Sequence, residues 1–423
     1  NGQKAGLPGV DNGTLSFDHV RVSRHNLLNR YGTIGDDGRY LSPIDNPNRR
    51  FFTMLGTLVR GRVSVAAGAG AATRTALALT IPYAARRRQF RGPGSDTEVI
   101  LLDYLTHQRK LLPALARSYA LALAQNELIA AMHAQQKDGP TGDDTAQREL
   151  EVRAAGIKAV TTAHATRTIQ TCREACGGAG YMSENRLVRL KADTDVFTTF
   201  EGDNTVLLQL VAKGMLTEFK ESFHDLGTMG AISFGARQFA GTIIERTAGG
   251  SLIQRLIAGS PGRDAPEALT DRGGQLDFFE DRERHLTETL ANRLRRVTGS
   301  PDLFEAFNAA QDHLVAAAEA HVDRVVLEAF VAAIDACEHA DAATLLGRVC
   351  DVFVLATIEQ HKAWYLEHGR ISIRQAKAVT SHVNQACGDL RPYAQTLVDA
   401  FGIPASWLDV PMLHSPWSAE PVS

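Results

Sequence analysis

Glu201 is the acid in this sequence best placed to move a proton. It lies in Thr198-Thr199-Phe200-Glu201-Gly202-Asp203-Asn204-Thr205, directly before the apolar run Val206 to Ala212, which closes near Gly214. That run reads as a helix, with Asp203 or Asn204 as its N-cap. Glu201 then falls in the turn before the helix, where Gly202 lets other atoms approach closely. A carboxylate held there can act as a general base. From its spacing alone the position suits better an ordinary solvated acid favoured by the helix dipole, and only the rest of the chain shifts that balance.

Three further groups have chemical potential. Arg62, in Gly61-Arg62-Val63-Ser64-Val65-Ala66-Ala67-Gly68-Ala69, precedes a small-residue helix and suits a negatively charged ligand. Arg60 is the alternative cation, and a structural ion pair is the plain explanation of either. In Arg86-Arg87-Arg88-Gln89-Phe90 the fork of Arg87 suits a pyrophosphate, with Gln89 as a polar contact and Phe90 as an apolar wall. A basic helix end favoured by its dipole is the competing explanation. Gly177-Gly178-Ala179-Gly180 permits a tight turn and close backbone approach to a phosphate.

The elements that must position these residues are mostly helices. The chain has 423 residues, 44% hydrophobic and 22% charged, with a net charge of -3. That suits two or three folded domains and gives no global pull toward nucleic acid or an anionic membrane. No apolar run is long enough to span a bilayer. Cys172, Cys176, Cys337, Cys350 and Cys387 show no disulfide framework or metal-ligand spacing. Reduced, buried thiols are the expectation.

Residues 1–48 are rich in Gly, Asn, Asp and Pro, and Leu15 to Val22 reads as a strand. Such a strand needs partners from elsewhere in the protein or from another chain. Helices are expected over 49–88, 97–133 (kinked at Pro113), 146–176, 275–297, 301–337, 339–368 and 372–400. Gly61, Gly68 and Gly70 point to close helix packing, and Ser95 or Asp96 is the expected cap of the second helix. Loops are expected at 135–145 and 177–200, a domain junction near 220–230, and an irregular tail at 402–423. The start at Asn rather than Met suggests a processed or internal beginning. The C-terminus lacks a peroxisomal Ser-Lys-Leu signal, which points to a cytoplasmic, bacterial-like location.

Taken together, the four segments resemble the acyl-CoA dehydrogenase/oxidase superfamily, most closely the acyl-CoA oxidases. The strand-like Asp18 to Leu28 is similar to the end of that family's β-domain. Cys176-Gly177-Gly178-Ala179-Gly180-Tyr181, followed about twenty residues later by Phe200-Glu201-Gly202-Asp203-Asn204-Thr205, carries the likeness most strongly. Glu174 stands where dehydrogenases usually carry Gln. Phe200 and Asp203 replace their usual Tyr and Thr, which favours the oxidase branch, as does the long second helical region with Trp364 to Gly369.

The resemblance implies a mainly α fold: two helical-bundle domains, 49–222 and 223–423, preceded by a β-barrel-like domain's remnant at 1–48. It implies Glu201 as the base that takes the α-proton of a fatty acyl-CoA. Arg62 and Gly202 would contact the substrate. Arg87, Gln89, Phe90, Gly177, Gly178, Asp203 and Thr205 would contact FAD, partly across a subunit boundary in a homo-oligomer. Oxygen would be the electron acceptor. A separate N-terminal-half polypeptide is a further expected partner. The alternatives are an acyl-CoA dehydrogenase using an electron-transfer flavoprotein, or a non-catalytic helical subunit of a heteromeric complex.

Overall fold

Alanine-rich sequence with apolar residues three and four apart favours long helices that bury one face, and helices dominate the computed structural model. It describes residues 2–47, 50, 53–54, 58–138, 144–224, 250–263, 265–297 and 303–414. Helix α1 spans Leu58–Arg86, α2 Leu105–Asp138 and α3 Asp144–Ala175. A shorter α4, Leu187–Asp195, leads to α5, Asn204–His224. Beyond residue 250 come α6 (Arg272–Val297), α7 (Gln311–Asp335), α8 (Ala340–Gln360) and α9 (Ile373–Leu390).

Helices α1, α2 and α3 pack on one another, and α5 lies against α3. Helix α7 packs on α5, α6 and α2, while α8 packs on α9 and α2. The buried residues form one continuous core, from Leu77 and Leu79 of α1 through Leu112 of α2 to Phe330 of α7 and Phe353 of α8. Cys172 and Cys176 are buried free thiols, pushed up by burial to about 12. They are packing residues rather than reactive ones. Among the described residues no helix is long and apolar enough to cross a membrane.

The mainly α architecture matches expectation; several local features do not. Leu15 to Val22 forms no strand, and Leu15 and Phe17 are 82% and 76% exposed. A strand needs a ladder partner, and none lies beside this segment among the described residues. The two-stranded ladders are Thr33–Ile34 (β1) with Tyr40–Leu41 (β2), and Arg88–Arg91 (β3) with Glu98–Ile100 (β4). The β3–β4 hairpin replaces the expected helix start at Ser95 or Asp96. Its turn runs through Gly94, at φ 74°, and places Val99 and Ile100 opposite β3. Helix α2 therefore begins at Leu105, and it continues through Pro113.

The expected loop at 177–200 contains α4 and shorter helical turns at Gly178–Tyr181, Ser183–Asn185 and Val196–Thr198. Helix α5 passes Gly214, which lies close against Val152 of α3, and reaches His224. The expected junction at 220–230 falls mainly outside the described residues, as do 415–423 of the expected tail. The earlier part of the tail carries the short helix Pro411–His414.

Charged residues cross the core where α2, α6 and α7 meet. Glu283 of α6 accepts from His321 at 2.8 Å and from Arg324, both on α7, and Arg324 also binds Glu328. Asp323 accepts from Arg117 of α2 at 2.9 Å, with Arg282 at 3.9 Å and His361 at 3.8 Å. Burial alone would raise both acids. Arg324 and His321 outweigh it at Glu283, and Arg117, His361 and Arg282 at Asp323, holding each carboxyl at about 2. Acids depressed in this way contribute stability that is present above the unfolded carboxyl range and lost as pH falls through the folded value. Chemical denaturation at a series of pH values should therefore show stability falling from about pH 4.5 toward pH 2. Glu283→Gln, which removes one of the two carboxylates on Arg324 and leaves Glu328, should cost about 1–3 kcal/mol at neutral pH in the same assay.

Candidate active site

The chain leaves α4 through the turn Val196–Thr198, where the rings of Phe197 and Phe200 stack at 5.1 Å. It then enters a left-handed bend, with Glu201 at φ 57° and Gly202 at φ 110°. Glycine takes this conformation freely, but for Glu201 it costs of order 1–3 kcal/mol. The surroundings must therefore hold it. The Nε of Arg62, on α1, lies 3.5 Å from the Glu201 carbonyl oxygen. The Nζ of Lys158, on α3, donates to the next carbonyl, that of Gly202, at 2.6 Å.

The start of α5 completes the hold. Asp203 is the N-cap, its Oδ1 accepting from the Thr205 backbone N–H at 2.9 Å. Asn204 turns the other way, into α3. It accepts from Lys158 Nζ at 3.1 Å and donates to the Ala159 carbonyl at 3.1 Å. Its amide also meets the Thr162 hydroxyl at 3.0 Å.

The Glu201 carboxylate faces α1. A Cβ built on Gly61 would lie 2.5 Å from Oε2 and 2.7 Å from Oε1, so only glycine leaves room for it there. This close approach, rather than helix-to-helix packing, is what Gly61 permits. Oε2 is shielded from solvent and accepts no hydrogen bond from the described residues. Burial lowers the Arg62 pKa while Glu151 and Glu201 oppose the shift. Burial also pushes the Lys158 ammonium down to about 8, with Asp203 and Glu201 opposing and Arg62 adding to the fall. Both nearby cations thus engage backbone oxygens, and the acid keeps a free, shielded oxygen. That arrangement suits proton abstraction from a carbon acid.

Arg62, Glu201, Gly202, Asp203 and Thr205 are therefore brought together, with Asp203 and Thr205 exposed at the rim. Arg60, the alternative to Arg62, is exposed on α1. The other expected ligand contacts form a second group at the far end of α1. The Arg87 N–H still bonds to the Tyr83 carbonyl at 2.8 Å, but Gln89 and Phe90 lie on β3 rather than on the helix. Phe90 is 69% exposed at φ 60°, and the Gln89 carbonyl accepts from the Tyr104 hydroxyl at 2.8 Å.

Gly177, at φ 55°, ends α3 and is exposed, as is Gly178. The neighbouring Cys176 thiol reaches Thr80 of α1 at 3.6 Å. Burial raises the Tyr83 phenol, and both Arg87 and Cys176 act on it, so the arginine motif and the glycine turn are neighbours. Glu174, at the departure from the dehydrogenase pattern, is exposed and accepts from Gln170 at 2.8 Å. Arg62 and Arg86 stand 24 residues apart on one helix, or about 36 Å at about 1.5 Å per residue. The two groups do not share one pocket within this chain.

Two members of the first group escaped the sequence. Lys158 is the lone charge in Ala154-Ala155-Gly156-Ile157-Lys158-Ala159-Val160, a run whose other members are apolar or small. A lysine so placed must be buried or reach out of the core, and this was the available signal. Gly61 as the wall behind an acid 140 positions later had no local signal.

Residues 55–216 match the family "Acyl-CoA oxidase, C-alpha1 domain", and residues 272–412 match the family "Acyl-CoA oxidase". The peroxisomal acyl-coenzyme A oxidase 2 of Arabidopsis thaliana is 36% identical over 403 residues, which cover 95% of this chain and 56% of that protein. The structure of Arabidopsis thaliana acyl-CoA oxidase 1 superposes with a TM-score of 0.81 at 27% identity, over 97% of this chain and 60% of that one. Acyl-CoA oxidase-2 of Caenorhabditis elegans, bound with FAD, ascaroside-CoA and ATP, shares the fold with a TM-score of 0.82 at 24% identity, over 99% and 59%. This chain spans less than two thirds of the length of each of these relatives. On sequence and fold alike, the chain belongs to the acyl-CoA oxidase family.

Proposed function

We propose that the complete protein is an acyl-CoA oxidase that desaturates fatty acyl-CoA to trans-2-enoyl-CoA, a step of fatty acid β-oxidation, with Glu201 as its general base. The observation that carries this is the Glu201 carboxylate: shielded, unpartnered at Oε2, and held against Gly61 by a strained, clamped turn. The α-proton of a thioester is weakly acidic, so its base must be both free and fixed. Glu201 Oε2 accepts the proton as the β-hydrogen leaves with its electron pair. Arg62 and Gly202 line the approach to the substrate, and Arg62 offers a cation to the CoA portion.

FAD suits the second group of residues. The exposed glycine turn at Gly177 and Gly178 leaves open space where a Cβ would stand. Arg87 offers a pyrophosphate a fork, and the hairpin presents Gln89 and Phe90. When bound, the flavin supplies acceptance of the β-hydride, and oxygen takes up the two electrons to give hydrogen peroxide. Because the two groups lie about 36 Å apart along α1, Arg87, Gln89, Phe90, Gly177 and Gly178 would hold a flavin that serves Glu201 of another copy. Asp203 and Thr205, at the rim, would contact the flavin that serves their own Glu201. This requires at least a homodimer.

Exposed Leu15, Phe17, Val20 and Val22 support a further β-rich part packing on residues 1–48, from the same or a separate polypeptide. The family matches at 55–216 and 272–412 support the division into helical units 49–222 and 223–423. A cytoplasmic place draws no support from the Arabidopsis relative named above, which is named peroxisomal.

Three measurements test this. Glu201→Gln should retain flavin and lose turnover by about 10²–10⁴-fold; unchanged turnover would remove Glu201 as the base. Gly61→Ala should leave thermal stability equal or higher, since Ala is favoured by about 1 kcal/mol in a helix, yet lower turnover by displacing the carboxylate. In stopped flow, reduced flavin should reoxidise fast in air; slow decay would favour the dehydrogenase alternative and an electron-transfer flavoprotein.

A further inference from the structure

We infer that Lys158 is a positioning residue for the Glu201 turn, acting through the Gly202 carbonyl and Asn204 rather than by touching substrate or flavin. The inference rests on Glu201 being the base. Three observations carry it. The Lys158 side chain has no solvent exposure, although it ends in an ammonium group. Burying such a charge is expensive and persists where specific partners compensate. Its partners are not a carboxylate but the Gly202 carbonyl at 2.6 Å and the Asn204 side-chain oxygen at 3.1 Å. Both flank Asp203, so Lys158 spans the bend between the left-handed Glu201–Gly202 pair and the first turn of α5.

Lys158 is tied to a rigid base. Its carbonyl accepts from the Thr162 hydroxyl at 2.9 Å, and that hydroxyl meets Asn204 in turn. One turn of α3 thus holds both the ammonium and the amide that fix the bend. The charges facing Lys158 are Arg62 from α1 and Glu201 and Asp203 from the bend, with Glu151 of α3 acting on Arg62. Burial brings Lys158 to about 8, so it loses its proton, and its charged hold on Gly202, as pH rises through that value. A misplacement of a catalytic group by about 1 Å costs about 100-fold in rate, so a weakened hold on the bend is read directly in turnover.

The test uses the full-length, flavin-loaded enzyme and follows exchange of the acyl-CoA α-proton with deuterated water alongside turnover. Lys158→Met should lower both by about tenfold or more at neutral pH, with KM little changed, and should abolish the fall in activity above about pH 8. Native rates in Lys158→Met, or a loss that leaves the alkaline fall in place, would overturn the inference. Should Lys158→Met not fold, Asn204→Ala, which removes the side-chain oxygen that Lys158 binds, takes its place: a parallel loss of exchange and turnover with KM little changed supports the hold on the bend, and native rates overturn it. Glu201→Gln is run in parallel: if it exchanges protons at the native rate, the base assignment fails and not merely the role of Lys158.

Discussion

The hold on two consecutive carbonyl oxygens is the constraint on which the candidate site depends. Arg62 faces the oxygen of Glu201 and Lys158 binds that of Gly202, from two different helices. A cation set directly against the Glu201 carboxylate would stabilise its charge and weaken it as a base. Directed at the backbone instead, the same cations fix where the acid stands without pairing it. The close packing of α1 on α3 makes this possible, because Gly61 lets the carboxylate lie against α1 while Lys158 reaches the Gly202 carbonyl from α3.

What could be read from the sequence follows the range of the forces involved. The Asp203 cap is a contact across two residues, and the sequence placed it correctly as one of two choices. The apolar period marked the helices, and the glycine after α3 marked its end. The strand at Leu15 to Val22 failed because a strand is defined by its neighbours, and β-propensity alone supplies none. The hairpin at Arg88–Ile100 was missed because its strands, Arg88–Arg91 and Glu98–Ile100, are four and three residues long, too short to show a period. Lys158 and Gly61 were illegible for a third reason: their roles arise only when α1, α3 and the turn before α5 meet.

The charged cluster between α2, α6 and α7 does a different task. Buried ion pairs add little net stability over apolar packing, but they discriminate among ways of docking helices. Sliding α7 by one turn would separate Arg324 from Glu283 and Asp323 from Arg117 at once. The helices beyond residue 250 are thereby registered against α2, a wall of the bundle that holds Glu201.

Helix α1 carries one group of candidate residues at each end, with no break between Leu58 and Arg86. In the proposed assembly its length is therefore a dimension between subunits and not only of the fold. One residue inserted at its middle would turn one end by about 100° against the other and lengthen the span by about 1.5 Å. Gly61 would then no longer face Glu201 while Arg87 kept its place, or the reverse. The helix acts as a gauge rod, and its residue count is under tighter constraint than the identity of most side chains along it.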